Sequence, residues 1–188
     1  LLYREPGQRV ICLTGGPGSG KRFQVEHLMA RTGERCVFLS LGCDSPEERA
    51  REGILTARLT GACLCCGHME GQDADGRPLP AEGKLLQAIL ALEPAHEKVF
   101  FLSRLPIRAR LGRLTVELEL PDTTEDERIA LFRAFLRDTP LGDGLTVEEL
   151  ASKFRFSPRQ VELACRQAVG RIRLDGLSAI PSRQMHQC

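Results

Sequence analysis

Gly15-Gly16-Pro17-Gly18-Ser19-Gly20-Lys21-Arg22 is a glycine-rich segment that ends in two cations. Its spacing, G-x-x-x-x-G-K, is that of a phosphate-binding loop. Glycines let backbone N–H groups wrap phosphate oxygens closely, and a following helix directs its positive end at them. Lys21 then brings a point charge to the β- and γ-phosphates of a nucleotide. The pattern asks for Ser or Thr next, because that hydroxyl binds the Mg²⁺ of the nucleotide. This chain has Arg22 instead. A dinucleotide fingerprint, G-x-G-x-x-G, cannot be drawn through these glycines.

A second metal ligand is expected as an acid ending a later strand, with a neighbouring Glu to orient the attacking water. The candidate strand is Ala62 to Cys66, followed by Gly67, His68, Met69 and Glu70. Cys66 and Gly67 stand where the acidic pair belongs, and Glu70 and Asp73 are the candidates to replace it. With the hydroxyl at position 22 and the acid near position 66 both missing, two losses fall on one metal. The pattern predicts a degenerate site in which Arg22 sets a cation near the metal position, and it puts Mg²⁺ binding in question.

Cys63-x-Cys65-Cys66-x-His68 has the residue types of a zinc site. Alternate strand residues point to opposite faces, so Cys63 and Cys65 share one face and Cys66 the other. No zinc is expected, and the thiols read as small core residues. Ser103 ends another apolar run, where a polar side chain can sense a γ-phosphate or simply begin a turn. Arg104, Arg108, Arg110 and Arg113 form a basic stretch that reads as a solvated loop face, with intersubunit or phosphate contact as the alternative. Ser157-Pro158 has the order of an N-cap and a first helical residue. Arg159 follows, able to reach back to phosphate or to stay in solvent.

The elements that position these groups are legible from periodicity. Arg9–Thr14, Cys36–Leu41, Ala62–Cys66, Lys98–Leu102 and the alternating Leu114–Leu120 predict five strands, the last at an edge. Helices are predicted over Lys21–Ala30, from Pro46 to about Leu59, and over Ala81–Leu92. Pro46 follows the capping candidates Asp44 and Ser45. Strand and helix alternate to about residue 120, which implies a parallel sheet with right-handed crossovers. Glu125–Arg137, Val147–Phe154 and Pro158–Arg173 then predict an all-helical part. The expected division is 1–120, 121–175 and a disordered tail over 176–188.

The 188 residues carry 26 basic and 25 acidic side chains, a net charge of +1. Such balance argues against nucleic-acid binding and membrane attachment. Apolar runs such as Val99–Leu102 are far too short to span a bilayer. With no Trp, 5% aromatics and eight Cys, the core must rest on aliphatic residues and sulfur. No export signal is visible, so reduced thiols and a cytoplasmic location are expected. The chain opens at Leu1 without an initiator Met, and is expected to be part of something larger.

With the loop, five strands, Ser103 and the helical lid assembled, the sequence resembles the AAA+ ATPase module over about residues 8–174. Leu120-Pro121-Asp122 before a helix, and the stretch from Leu150 to Val161, look like those of bacterial AAA+ proteins. The resemblance implies an α/β P-loop NTPase fold with strand order 5-1-4-3-2 and a small C-terminal helical lid. It implies ATP or ADP bound between core and lid by Gly15, Gly16, Pro17, Gly18, Ser19, Gly20, Lys21 and Arg22. Ser103 would be the first sensor and Arg159 the second. It also implies assembly with other AAA+ subunits or an adjacent module, often as a hexameric ring, and leaves any protein substrate unnamed. Impaired hydrolysis and a role in assembly or regulation follow from the departures at Arg22 and Cys66. Two other readings are an active ATPase using Glu70 or Asp73, and a P-loop kinase or phosphotransferase.

Overall fold

The computed structural model describes residues 9–69, 83–92, 98–107, 114–137, 139–142, 144–175 and 179–180. The chain divides into two compact units, one of Leu1–Gly15 with Lys21–Leu120, the other of Gly16–Gly20 with Pro121–Cys188. The loop residues 16–20 thus group with the helical part, where the sequence suggested a single cut at residue 120.

The first unit is a five-stranded parallel sheet. Its strands are β1 (Arg9–Thr14), β2 (Cys36–Ser40), β3 (Cys63–Gly67), β4 (Lys98–Ser103) and β5 (Leu114–Glu119), in the order β2-β3-β4-β1-β5. This is the implied order 5-1-4-3-2 read from the other edge. Helices α1 (Lys21–Thr32), α2 (Pro46–Thr60) and α3 (Gly83–Leu92) connect them. All six residues of β1 are buried, whereas those of β5, at one edge, are exposed or half-buried.

Strand alternation sorts the core into two layers. Val10, Cys12, Leu64, Cys66, Val99 and Phe101 pack beneath α2 and α3. Ile11, Leu13, Cys65 and Phe100 pack against Val25 and Met29 of α1. Continuous burial of both faces is what a parallel sheet under helices requires, and it explains the unbroken apolar runs. Gly61, at φ 62°, ends α2 in a left-handed cap, and its N–H donates to the Arg58 carbonyl. Ser45 precedes α2 without forming a side-chain cap.

The second unit contains α4 (Glu125–Phe135), α5 (Val147–Lys153) and α6 (Pro158–Asp175). Thr124 with Glu127, and Thr146 with Glu149, close capping boxes that start α4 and α5. Phe132, Leu150, Val161, Cys165, Ala168 and Ile172 form its core. Arg128 is 8% exposed, and its guanidinium donates to the carbonyls of Ala151 and Thr123, tying α4 to the end of α5. Ile180 is wholly buried in the same core, and it bonds the Pro140 carbonyl and the Gly142 amide. The sequence suggested a disordered tail here. A single apolar residue beyond α6 has no periodicity to reveal its docking.

Gly53 lies inside α2, where alanine is preferred by about 1 kcal/mol. A Cβ there would stand 2.2 and 2.4 Å from the two methyl carbons of buried Leu39. Overpacking of that kind costs about 1–3 kcal/mol. Gly53→Ala is therefore expected to lower the unfolding free energy, against helix propensity. Denaturant unfolding checks it, and a variant as stable as the parent would refute the packing argument.

Candidate functional site

The loop begins where β1 ends. Thr14, the last residue of β1, lies in register with Ser103 of β4 and Glu119 of β5. Gly15, Gly18 and Gly20 have φ of 142°, 76° and 94°, a region that L side chains rarely adopt. Lys21 opens α1, and its Nζ donates to the Gly15 carbonyl at 2.7 Å. Within the second unit, Ser19 N–H donates to the Gly16 carbonyl at 3.3 Å, and Arg159 N–H donates to the Gly18 carbonyl at 3.3 Å. A Cβ on Gly18 would lie 2.5 Å from Ser157 Oγ, and one on Gly16 would lie 3.6 Å from Asp122 Oδ1. Backbone freedom explains Gly15, Gly18 and Gly20, and close approach adds a second reason at Gly18.

Arg22 follows Lys21 on α1. Its Nε pairs with Glu26 at 2.7 Å, and its guanidinium lies 4.5 Å from the centre of the Phe38 ring on β2. Ser103 is 1% exposed; its Oγ donates to the Leu105 carbonyl at 2.6 Å and accepts from Leu105 N–H. The hydroxyl thus organises the turn after β4, while its register places it beside the end of β1. Arg159 is the second residue of α6 and pairs with Glu162 at 2.6 Å. Pro17 is an exposed loop residue.

At the end of β3, Cys66 is wholly buried in the layer under α2 and α3. The Gly67 carbonyl accepts from Leu41 N–H. His68 follows with φ 54°, the sole non-glycine with positive φ among the described residues. The sequence marks His68 by its type, beside the cysteines, but a histidine carries no sign of its backbone conformation. Glu70 and Asp73 lie outside the described residues, as do Arg108, Arg110 and Arg113.

Residues 124–188 match the family model of the contractile injection system ATPase helical domain. The chain is also 36% identical over 181 residues to the Cell division cycle protein 48 homolog of Archaeoglobus fulgidus, covering 85% of this chain. A structure described as the structural basis for katanin self-assembly superposes with a TM-score of 0.69 at 16% identity. That match covers 98% of this chain and 72% of the other. Together these likenesses support an AAA+ ATPase module. It spans 25% of the length of its archaeal relative. The chain has the loop glycines and Lys21, and Arg22 where the nucleotide pattern has a hydroxyl.

The module's cysteines sort as strand alternation demands. Cys36, Cys63 and Cys65 lie on the α1 side of the sheet, and Cys12 and Cys66 on the other. Among the described residues, no three His, Cys, Asp or Glu side chains converge on a metal position. Burial, with the Glu117 carboxylate second, pushes the Cys12 thiol up to about 12. Burial does the same first for Cys63, aided by Glu34, and for Cys66. Cys65 is raised as well, by its hydrogen bond to Cys36 and then by burial. Cys12, Cys63, Cys65 and Cys66 are thereby held as protonated, hydrophobic thiols.

A thiol whose folded value lies above its ordinary 9.0 stabilises the fold fully below that pH. Above it, the unfolded chain has released protons that the folded chain still holds, so stability falls as pH rises toward 12. Thermal unfolding midpoints are expected to be level near neutrality and to decline from about pH 9 upward. Midpoints that stay constant to about pH 11 would contradict it.

Proposed function

We propose that this chain is the nucleotide-binding module of a larger AAA+ protein. It takes up ATP or ADP on the loop Gly15–Lys21, hydrolyses ATP poorly or not at all, and contributes to assembly or regulation. Lys21 is the phosphate lysine. Ser103 and Arg159 are the positions from which the γ-phosphate would be sensed. The observation that carries this reading is the engagement of Arg22 with Glu26 and Phe38, where a hydroxyl would otherwise meet the metal. The end of β3, with Cys66 and Gly67 in place of acids, supports it independently.

Mg²⁺ neutralises the charge that develops on the β–γ bridge during phosphoryl transfer, so loss of its protein ligands falls on hydrolysis more than on binding. The glycine cradle and Lys21 act on the phosphates directly, and they remain. The helical-domain match supports placing the whole protein with contractile injection systems. The katanin likeness supports assembly with other AAA+ subunits, a hexameric ring being the family's usual form. No described helix is long and apolar enough to cross a membrane.

Calorimetric titration with ADP and ATP, with and without Mg²⁺, tests the reading. Binding is expected to depend little on Mg²⁺ and to weaken about tenfold or more in Lys21→Ala, the loss of a charge-assisted bond. Substantial ATP turnover that Lys21→Ala abolishes would overturn the inactive-module reading. Sedimentation with and without nucleotide reports assembly.

A further inference from the structure

The phosphate loop is bonded to its own chain. The Gly18–Ser19 peptide is held at both ends, since Ser19 N–H donates to the Gly16 carbonyl and the Gly18 carbonyl accepts from Arg159 N–H. A trans peptide points its N–H and C=O in opposite directions, so each bond fixes the other. An amide aimed at the Gly16 carbonyl is not aimed at a phosphate. Lys21 Nζ likewise rests on the Gly15 carbonyl.

The other side of the contact is the start of α6. Pro158 has no N–H to satisfy, and Arg159 N–H is the first backbone donor of the helix. Ser157 would ordinarily accept it through its hydroxyl. Here Ser157 Oγ is buried without a hydrogen-bond partner among the described residues, and Ser157 N–H donates to Gln160 Oε1 at 2.9 Å. The Gly18 carbonyl has taken the serine's place as the cap. Close approach at Gly18, with Ser157 Oγ 2.5 Å from a Cβ position, makes this possible only for glycine.

We propose that the Gly18 carbonyl is a removable cap on α6 that latches the loop in its self-bonded form. Binding of a nucleoside di- or triphosphate turns the Gly18–Ser19 peptide toward the phosphates and releases the first turn of α6. The inference rests on the loop being the nucleotide site. By linkage, whatever loosens that turn tightens nucleotide binding by the same factor. Arg159 then acts as a positioning residue through its backbone, separately from its side chain.

Arg159→Pro removes the N–H at a helix start where proline is tolerated, and Arg159→Ala keeps it. By calorimetry, ADP is expected to bind about three- to tenfold more tightly to Arg159→Pro than to Arg159→Ala, the worth of one hydrogen bond. Equal or weaker binding by Arg159→Pro, with helix content preserved, overturns the latch. Hydrogen exchange in the unaltered chain decides the matter should that variant not fold. Saturating ADP is expected to speed exchange of the Arg159 amide, and unchanged or slower exchange overturns the proposal. ADP binding that ignores position 159 sinks the latch alone. Failure of every variant and the parent to bind ADP sinks the nucleotide reading and the latch together.

Discussion

β1 is the member on which the rest of the first unit depends. It is hydrogen-bonded to β4 on one edge and β5 on the other, and its six residues are buried. Side chains of alternate residues belong to different layers, Val10 and Cys12 to one, Ile11 and Leu13 to the other. A slip of one residue would exchange those layers and open both ladders. The position of Thr14 is thereby fixed, and with it the point at which the glycine loop leaves the sheet. The Leu120 amide, bonded to the Thr14 carbonyl at 2.8 Å, anchors the same spot from the end of β5.

Both arginines near the phosphate motif are engaged locally. Arg22 is shared between Glu26 and the face of Phe38, and Arg159 joins Glu162, which also holds Arg166. Exposed pairs of this sort contribute about 1 kcal/mol or less. They suffice to choose among rotamers, though not to hold a cation against a phosphate that offers more. What distinguishes Arg22 is its second partner, since the aromatic face of a neighbouring strand adds a preference that a surface carboxylate alone would lack.

Much of this was legible in the sequence because the elements are strongly patterned. β1 has the predicted bounds, and α1, α2 and α6 differ from expectation by one or two residues at their ends, where helices fray. The two-sided sorting of Cys65 and Cys66 followed from strand alternation alone. The strand order came from family resemblance, since periodicity does not say which parallel strands are neighbours. Other features escaped for physical reasons. Ser157 reads as a cap from its type and position, but a carbonyl from far along the chain fills that role. The grouping of residues 16–20 with the helical unit, the strain at His68 and the burial of Ile180 are products of tertiary contact. None leaves a local trace.

The partnership of Arg22 with Phe38 also bears on how this chain can change over generations. Exchanging Arg22 for a hydroxyl residue would forfeit the ring and carboxylate contacts at once. It would bring only half of what Mg²⁺ requires, because Cys66 and Gly67 would still end β3. Placing an acid at Cys66 would bury a charge in a wholly apolar layer, a change expensive in itself. Each step toward a metal site is unfavourable without the other. On the proposed reading, such mutual dependence entrenches Arg22 and Cys66, and descent from this sequence is steered away from a metal centre built on those two positions.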